Sequence, residues 1–385
     1  MAPCDLQGLL APVDANTFLR TCWGNNFQHV RGGQGKFADL LPWPVLNTIL
    51  QQHRLDSPRL RLTREGKPVP ATNYASYPAN RKRPTQTIPR LRATDLMREL
   101  RDGATLVLDS IDELHPPVTD IAEALERLFR VRIQVNGYAG WRTSHGFDLH
   151  WDDHDVFVLQ VAGRKDWKIY GLSQERPETP IWEGRLEDGD LLYIPRGWWH
   201  VATPLDEPTL HLTVGVSNPT GADLLSWFVE KLRANECVSA NLPQFSSRAA
   251  EKEYLQRIQQ VVSASWSSDL LKEYLADLDA KAQPRPRFSL PWTASPDVLP
   301  PESLSFALRW NGARRVDSED KDGEVHFVAQ GKRWRFAAAA RPMLERLTLS
   351  SACSLADLSE LSDAQTARAF VAELVVNGLV AVVDA

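Results

Sequence analysis

The chain has 385 residues, of which 43% are hydrophobic and 24% charged, an ordinary balance for a globular protein of roughly two or three domains. Its net charge of −5 excludes a global basic field that would draw it to nucleic acid. No run approaches the ~18 apolar residues of a membrane span. The four cysteines form no CxxC pair, and the first residues lack a basic start followed by an apolar core. We therefore expect a cytoplasmic protein with reduced thiols.

Capping residues and breakers mark the first predicted elements. Asp14 is a good N-cap, and a helix is expected to run from it into an extended segment that ends near residue 30. Apolar periodicity predicts a second helix over 37–55, with Pro44 near its first turn. Alternation then predicts a hairpin over 59–70 that turns at Glu65-Gly66.

A polar segment, residues 72–90, separates this part from the next elements. It is interpreted either as an exposed loop or as a basic lip at the mouth of a site, because it contains Arg81, Lys82 and Arg83. The elements expected after it are a helix over 93–103, a buried strand over 104–114 and an amphipathic helix over 118–130 with Ile121, Leu125 and Leu128 on one face.

The central part of the chain is rich in short strands bounded by Gly and Pro. After a strand over 131–140, strands are expected at 147–151, 155–161, 165–170, 180–185, 190–194, 200–203 and 209–216. Such a series predicts a closed antiparallel double-sheet barrel of the jelly-roll or cupin kind. Trp198 and Trp199 either wall an entrance to this barrel or simply pack within it.

Three residues in this region suit a metal with open coordination positions. Side chains on a strand alternate faces, so His150 and Asp152 are expected to point the same way. His200 follows a second predicted strand and a Pro195–Gly197 turn, and a neighbouring strand can bring it opposite the pair. Two imidazoles and one carboxylate are the facial triad of non-haem Fe(II) oxygenases. His154 also falls at period two, so His150, Asp152 and His154 form a rival set.

Several separated segments agree in order and spacing with one family. NGYAGWRTSHGFDLHWDDHDVFVLQVAGRKDWKIYG (136–171), DGDLLYIPRGWWH (188–200) and LHLTVGV (210–216) resemble the Jumonji C (JmjC) oxygenases. The resemblance is strongest to the ribosomal oxygenases, which hydroxylate ribosomal proteins. It covers roughly residues 15–235 well and the remainder loosely.

The resemblance implies roles for individual residues. His150, Asp152 and His200 match the iron ligands, and Lys165 matches the basic residue that holds the distal carboxylate of 2-oxoglutarate. Cosubstrate-pocket positions are matched by Asn136, Tyr138 and Thr213. A cation next to a buried carboxylate would form a charge-assisted hydrogen bond, whereas the alternative for Lys165 is a solvated lysine in a turn with Arg164. The remaining histidines, His211 among them, are expected to be structural or at the surface.

The predicted domains are 1–220, a JmjC/cupin catalytic domain with an N-terminal extension; 221–282, a helical region; and 297–385, a winged-helix-like α+β module. Apolar spacing at Tyr254, Ile258, Val261 and Val262 predicts an amphipathic helix, which either forms a homodimer, as the resemblance implies, or packs within the monomer.

The segment 283–296, before the last module, is proline-rich, which predicts a linker. A hairpin turning at Gln330-Gly331 and a helix capped by Ser362 are expected in the last module. Its recognition region holds few cations, which favours contact with protein over direct nucleic-acid binding.

The fold class expected is therefore mainly β with α: a double-stranded β-helix barrel, a helical dimerisation region and a winged-helix-like module. The expected function is that of an Fe(II)- and 2-oxoglutarate-dependent dioxygenase, which uses O₂ to hydroxylate a side chain of a protein, with a ribosomal protein as the favoured substrate. Two alternatives stay open, a hydroxylase of a small molecule or peptide natural product and a non-enzymatic binding module. A histone demethylase is disfavoured, because nothing in the sequence resembles a chromatin reader.

Overall fold

The structure is a computed structural model that describes residues 3–78, 89–144, 146–292, 299, 306–312, 314, 316–350 and 352–384. The chain divides into two compact units, Met1–Asn218 and Pro219–Ala385. Arg81, Lys82 and Arg83 lie outside the described residues, so the proposed basic lip stays a prediction. No described helix is both long and apolar enough to cross a membrane.

The first unit begins with helices and ends with strands. Its described helices are α1 (Leu6–Leu10), α2 (Ala15–Thr21), α3 (Trp43–Gln52), α4 (Ala93–Arg101) and α5 (Pro116–Phe129). Its described strands are β1 (Gln28–Val30), β2 (Leu60–Arg64), β3 (Lys67–Val69), β4 (Ala75–Ser76), β5 (Arg90–Leu91), β6 (Thr105–Leu108), β7 (Ile133–Gly140), β8 (Asp155–Ala162), β9 (Lys165–Leu172), β10 (Trp182–Leu186), β11 (Leu191–Ile194), β12 (Trp198–Pro204) and β13 (Thr209–Val216).

Local chemistry explains several of these boundaries. The Asp14 carboxylate accepts a hydrogen bond from the Thr17 amide at 2.7 Å, as expected for the N-cap of α2. The hairpin of β2 and β3 turns at Glu65 and Gly66, both with positive φ, which is the geometry of a two-residue turn that matches strand twist. The helix predicted over 37–55 begins only at Trp43, because Pro44 lies within its first turn.

Two antiparallel sheets form the barrel. In the described part of the chain, the larger has the strand order β1-β11-β8-β13-β7-β6-β2-β3 and the smaller the order β10-β9-β12. Strand β8 is mostly apolar because both of its faces are buried. Val156 and Val158 join the cluster that contains Trp167 and Ile169 of the smaller sheet, whereas Phe157 and the alternate residues after it join the main core. The predicted double-sheet barrel is confirmed.

Three predictions in this unit are wrong. The strand expected over 104–114 ends at Leu108, and Ile111–Glu113 form a short 3₁₀-helix instead. Residues 147–151 form no strand; the segment is irregular and touches the barrel through an isolated bridge between His150 and His200. The juxtaposition of His150 and Asp152 therefore does not come from period-two alternation. Leu128 does not share the buried face of Ile121 and Leu125, since its side chain is 47% exposed at the last turn of α5.

The second unit contains the described helices α6 (Gly221–Leu232), α7 (Glu236–Ser239), α8 (Arg248–Ser265), α9 (Leu270–Lys281), α10 (Arg341–Leu349), α11 (Leu355–Ser359) and α12 (Ala364–Val376), and the described strands β14 (Phe306–Trp310), β15 (Ser318–Lys321), β16 (Glu324–Ala329), β17 (Lys332–Ala337) and β18 (Val380–Asp384). The hairpin of β16 and β17 turns at Gln330 and Gly331 as predicted. Helix α12 is capped by Asp363, which accepts from the Thr366 amide at 2.9 Å, and not by the predicted Ser362.

The segments predicted as a helical region and a winged-helix-like module fall within this one unit. The Gly331 amide donates to the carbonyl of Ala280, at the end of α9, at 2.8 Å. Within the predicted linker, Arg285 and Ser289 are buried, and the Ser289 hydroxyl accepts from the Val382 amide at 2.9 Å. The boundaries at residues 220, 282 and 297 remain predictions.

Candidate active site

A cavity of about 310 Å³ lies between the two sheets of the barrel, and every predicted site residue lines it. The alternation of the strands explains how this happens. Asn136 and Tyr138 alternate on β7 with residues buried in the main core, and Thr213 does the same on the neighbouring β13. Lys165 faces the cavity from β9 of the smaller sheet. The side chains that the sequence singled out therefore converge from both sheets.

His150, Asp152 and His200 form the group with the geometry of a metal site. Each offers one ligand atom, and these three atoms all lie within 4.8 Å of one another. The His200 Nε2 atom is 3.5 Å from the Asp152 Oδ2 atom, and the two imidazole centroids are 4.4 Å apart. Two nitrogens and one carboxylate oxygen at such separations can bind one divalent cation and leave other coordination positions open.

The backbone fixes which nitrogen of each histidine is free. His150 Nδ1 lies 2.8 Å from the Asp148 carbonyl oxygen, and His200 Nδ1 lies 2.9 Å from the Trp198 carbonyl oxygen. A carbonyl only accepts, so each Nδ1 carries the proton and each Nε2 presents a lone pair. This orientation by a hydrogen bond on the other ring nitrogen is typical of histidines that bind metals. Burial, and then the charge of His150, lower the pKa of His200, which keeps its imidazole neutral near pH 7.

Three backbone hydrogen bonds hold the irregular segment in place. The His150 amide donates to the His200 carbonyl at 3.2 Å, and the His200 amide donates back to the His150 carbonyl at 2.8 Å. The Gly197 amide donates to the Asp152 carbonyl at 2.8 Å, from a turn in which Gly197 has a φ of +78° that favours glycine. These bonds, and not strand alternation, place His150 and Asp152 on the same side.

The rival set with His154 does not form. His154 Nδ1 lies 2.9 Å from a carboxylate oxygen of its neighbour Asp153, and its ring packs close to the backbone of Gly215. Among the described residues, the group of potential metal ligands includes His200 and not His154. His154 lines the same cavity without reaching the other ligand atoms.

A buried acid braces the turn behind these residues. Asp155 is almost fully buried, and its two carboxylate oxygens accept from the Tyr193 hydroxyl at 2.5 Å and from the Asn218 amide group at 2.8 Å. The Arg196 backbone amide approaches the same carboxylate at 3.4 Å. Because Arg196 precedes Gly197, this network helps to hold the turn that bonds to Asp152.

Lys165 is buried rather than solvated in a turn with Arg164, contrary to the alternative considered above. Its Nζ atom lies 5.8 Å from the centroid of the Trp167 ring. Burial lowers the pKa of Lys165 to about 7. No ion pair joins Lys165 to an acidic side chain within the described part of the chain, so its amine is available to an incoming carboxylate.

The remaining predicted residues form one wall of the cavity. Tyr138 is stacked on His211, with ring centroids 4.8 Å apart, and burial raises the pKa of its phenol. Thr213 hydrogen-bonds to that phenol and so stabilises it on this wall. The Asn136 side-chain oxygen accepts from the Ser110 amide at 2.9 Å, which fixes the amide plane.

Sequence reasoning missed two basic side chains that line the cavity, His211 and Arg61. His211 was expected to be structural or at the surface, yet it lies on β13 two residues before Thr213, so strand alternation was a usable signal. Arg61 comes from β2, far upstream, and no local pattern marks it. It binds Asp109 through two hydrogen bonds, at 2.9 and 3.2 Å, and lies 5.5 Å from the ring of Phe147.

The paired tryptophans before His200 have a packing role. Trp198 joins the small apolar cluster between the sheets, and the Trp199 indole donates to the Ser173 carbonyl at 3.0 Å. Neither lines the cavity. Trp151, which is 50% exposed between two of the triad residues, is the tryptophan that reaches solvent next to them.

Comparison with known proteins agrees with this site. Residues 113–224 match the family described as the JmjC domain. Curated relatives named "Bifunctional lysine-specific demethylase and histidyl-hydroxylase NO66" include one from Drosophila pseudoobscura pseudoobscura, 28% identical over 54% of this chain and 22% of the relative, and one from Aedes aegypti, 26% identical over 71% of this chain and 47% of the relative. The chain thus spans less than half the length of these relatives.

Solved structures share the fold over nearly the whole chain. The ribosomal oxygenase YcfD from Escherichia coli matches with a TM-score of 0.59 and 20% identity, covering 96% of this chain and 98% of that one. YcfD in complex with cobalt and 2-oxoglutarate matches with a TM-score of 0.56 at the same identity and coverage. Residues 113–224, which hold the triad and most of the cavity lining, therefore match the JmjC domain, on a chain that shares its fold with a ribosomal oxygenase.

Proposed function

We propose that this protein is an Fe(II)- and 2-oxoglutarate-dependent dioxygenase that hydroxylates a protein side chain, with a ribosomal protein as its substrate. The observation that supports this most directly is the convergence of His150, Asp152 and His200 in a cavity that also holds the buried Lys165. The cobalt and 2-oxoglutarate complex of YcfD, a protein with the same fold, supports the same chemistry.

The residues that line the cavity can hold both iron and 2-oxoglutarate. His150, Asp152 and His200 would hold the iron, because both imidazoles present an Nε2 lone pair beside one carboxylate. Lys165 would bind the far carboxylate of 2-oxoglutarate, while the other cation in the cavity, Arg61, is already neutralised by Asp109. Bound there, iron and 2-oxoglutarate would supply the oxidising chemistry, with O₂ consumed and succinate and CO₂ released.

The chain itself contributes position and a dry lining. Val156, Val158 and Trp167 form the apolar part of the cavity wall and exclude water from the space beside Lys165. Tyr138, Asn136 and Thr213 present polar groups from the opposite sheet, and we assign them to cosubstrate contacts. Their hydrogen bonds to the protein hold them in fixed orientations before a ligand binds.

The names of the relatives favour a protein substrate over a small molecule. YcfD is described as a ribosomal oxygenase, and the curated relatives are named for acting on lysine and histidine residues. The free state of all four cysteines is consistent with action in the cytoplasm.

We also infer a homodimer formed by the helices between Gly221 and Lys281. Apolar side chains are exposed along this part of the second unit: Leu225, Val229, Leu255, Trp266 and Leu271. Leu225 and Val229 are four residues apart and so share one face of α6. A second copy of the chain would cover such a face, and two-fold pairing is the commonest arrangement of soluble oligomers.

Mass spectrometry of ribosomal proteins tests the function. Incubation with the enzyme, Fe(II), ascorbate and 2-oxoglutarate should add one oxygen to a defined side chain. Asp152→Ala should abolish the gain, and Asp153→Ala, which changes the exposed neighbouring carboxylate, should preserve it. Unimpaired hydroxylation by Asp152→Ala would refute the assignment of the site, and the absence of both succinate and product in the wild type would favour a binding module.

The names of the curated relatives give lysine demethylation as a second candidate. The same experiment separates the two reactions. Hydroxylation leaves a product that has gained one oxygen, whereas demethylation leaves one that has lost a methyl group. A methylated peptide added to the assay would reveal the second activity directly.

A further inference from the structure

Two buried basic side chains line the cavity, and among the described residues neither is paired with an acid. Lys165, on β9, is 6% exposed, and His211, on β13, is 2% exposed. Both line the cavity, and both lie near the Trp167 ring, the Nζ atom at 5.8 Å and the imidazole centroid at 5.8 Å. The His211 Nδ1 atom is buried without a hydrogen-bond partner among the described residues.

The groups around this pair do not neutralise it. Along β9 the register places Leu186 of β10 and Pro204 of β12, neither of them titratable, opposite Lys165. The titratable side chains that line the cavity from the other elements are Arg61 on β2, Tyr138 on β7, His150, Asp152 and His154 on the irregular segment, and His200 on β12. The one acid among them, Asp152, stands beside His200, and the Arg61 charge is already paired with Asp109.

Two adjacent basic groups that are both buried cannot both hold a charge at moderate cost, because burial disfavours the charged form and like charges repel. We propose that Lys165 and His211 form a proton-coupled anion site, in which Lys165 is largely neutral until a dicarboxylate enters and takes up a proton from solvent as the carboxylate binds. This inference rests on the proposed function, since 2-oxoglutarate is the dicarboxylate in question.

The proton balance of the step is simple. The Lys165 amine, one proton from the buffer and the ligand carboxylate become an ammonium–carboxylate pair. Burial lowers the pKa of Lys165 to about 7, so the amine is mostly unprotonated above that pH. Burial, and then the charge of Lys165, lower the pKa of His211 well below its usual value, so His211 stays neutral in both states.

Titration calorimetry measures the proton directly. Mn(II)-loaded protein would be titrated with 2-oxoglutarate, without O₂, in two buffers that differ in ionisation enthalpy. For a pKa near 7 that rises well above 9 in the complex, uptake should be about 0.9 proton per ligand at pH 8 and about 0.1 at pH 6. The dissociation constant should rise about 50-fold from pH 7 to pH 9.

Two variants locate the proton. Lys165→Arg keeps a permanent positive charge, so its uptake should fall close to zero at pH 8; subtracting it from the wild type removes any protons that come from the metal site. His211→Phe keeps a ring against Tyr138 without its nitrogens, and its uptake should persist. Uptake that vanished in His211→Phe and persisted in Lys165→Arg would assign the proton to His211 and overturn the proposal.

Two outcomes of the calorimetry distinguish the proton coupling at Lys165 from the proposed dioxygenase function. Binding of 2-oxoglutarate with the same heat in both buffers at pH 8 would refute the proton coupling and leave the dioxygenase proposal intact. Failure of the metal-loaded wild type to bind 2-oxoglutarate at all would refute both.

Discussion

Tyr193→Phe tests the buried network behind the triad. Tyr193 is fully buried on β11, where its hydroxyl donates to Asp155 at 2.5 Å and accepts from the Gly24 amide at 2.8 Å. Burial and the Asp155 carboxylate raise the pKa of the phenol, so it remains a neutral donor throughout the usable pH range. Phenylalanine keeps the ring contacts, such as the edge-on packing on Phe18 at 4.9 Å, and removes only the hydroxyl.

The expected loss of stability follows from the two hydrogen bonds that the Tyr193 hydroxyl makes. A hydrogen bond to a charged group contributes about 1.5–3 kcal/mol, whereas the amide of the exposed Gly24 can bond to water once the hydroxyl is removed, so its loss adds little. Some of this cost is recovered, because the Asp155 carboxylate keeps its bond to Asn218 at 2.8 Å. We therefore expect the free energy of unfolding of the first unit to fall by about 2 kcal/mol.

Urea denaturation followed by circular dichroism measures this change. Tyr170→Phe is the matched control, because the partly exposed Tyr170 on β9 has no hydrogen bond from its hydroxyl within the described residues, and its effect should stay within about 0.5 kcal/mol. A loss below about 1 kcal/mol in Tyr193→Phe would show that the network does not stabilise the fold as argued.

Three further outcomes are expected. His200→Ala should lose bound metal and His154→Ala should retain it, as measured by metal analysis of purified protein; the opposite pattern would restore the rival set. Lys165→Ala should weaken 2-oxoglutarate binding about ten- to a hundredfold, because a charge-assisted hydrogen bond contributes about 1.5–3 kcal/mol, while metal content is unchanged; an unaltered cosubstrate titration would contradict this role. Leu225→Glu should convert the proposed dimer to a monomer in light scattering, whereas Leu349→Glu, at a somewhat more exposed leucine of another helix, should not; a monomeric wild type would rule out the interface.

The strand pattern of the barrel was readable from the sequence. Alternation on β9 and the apolar run of β8 predict strands because a pleated strand presents successive side chains to opposite faces, and β8 is covered on both. The turn at Gln330 and Gly331 was also predictable, since glycine readily adopts the positive φ that a two-residue hairpin turn requires. The identities of the triad followed from residue spacing together with the family resemblance.

Periodicity failed where the backbone is irregular. Residues 147–151 were predicted as a strand, but bonds to His200 and Gly197, some fifty residues later, set their conformation. Such long-range bonds leave no mark on the local pattern. The exposed Leu128 is a related case, because it falls at the end of α5, where the helix face is no longer covered.

The sequence alone therefore determined which residues lie on each face of a strand. Only the tertiary structure decided which of those side chains contact one another. Lys165 and His211 belong to strands of different sheets, and Arg61 enters the same cavity from a hairpin a hundred residues upstream of Lys165. Alternation predicts that such residues point inward but does not say which of them meet. Closure of the two sheets brings these residues together in a low-dielectric space. That burial, which no local sequence pattern predicts, lowers the pKa of Lys165.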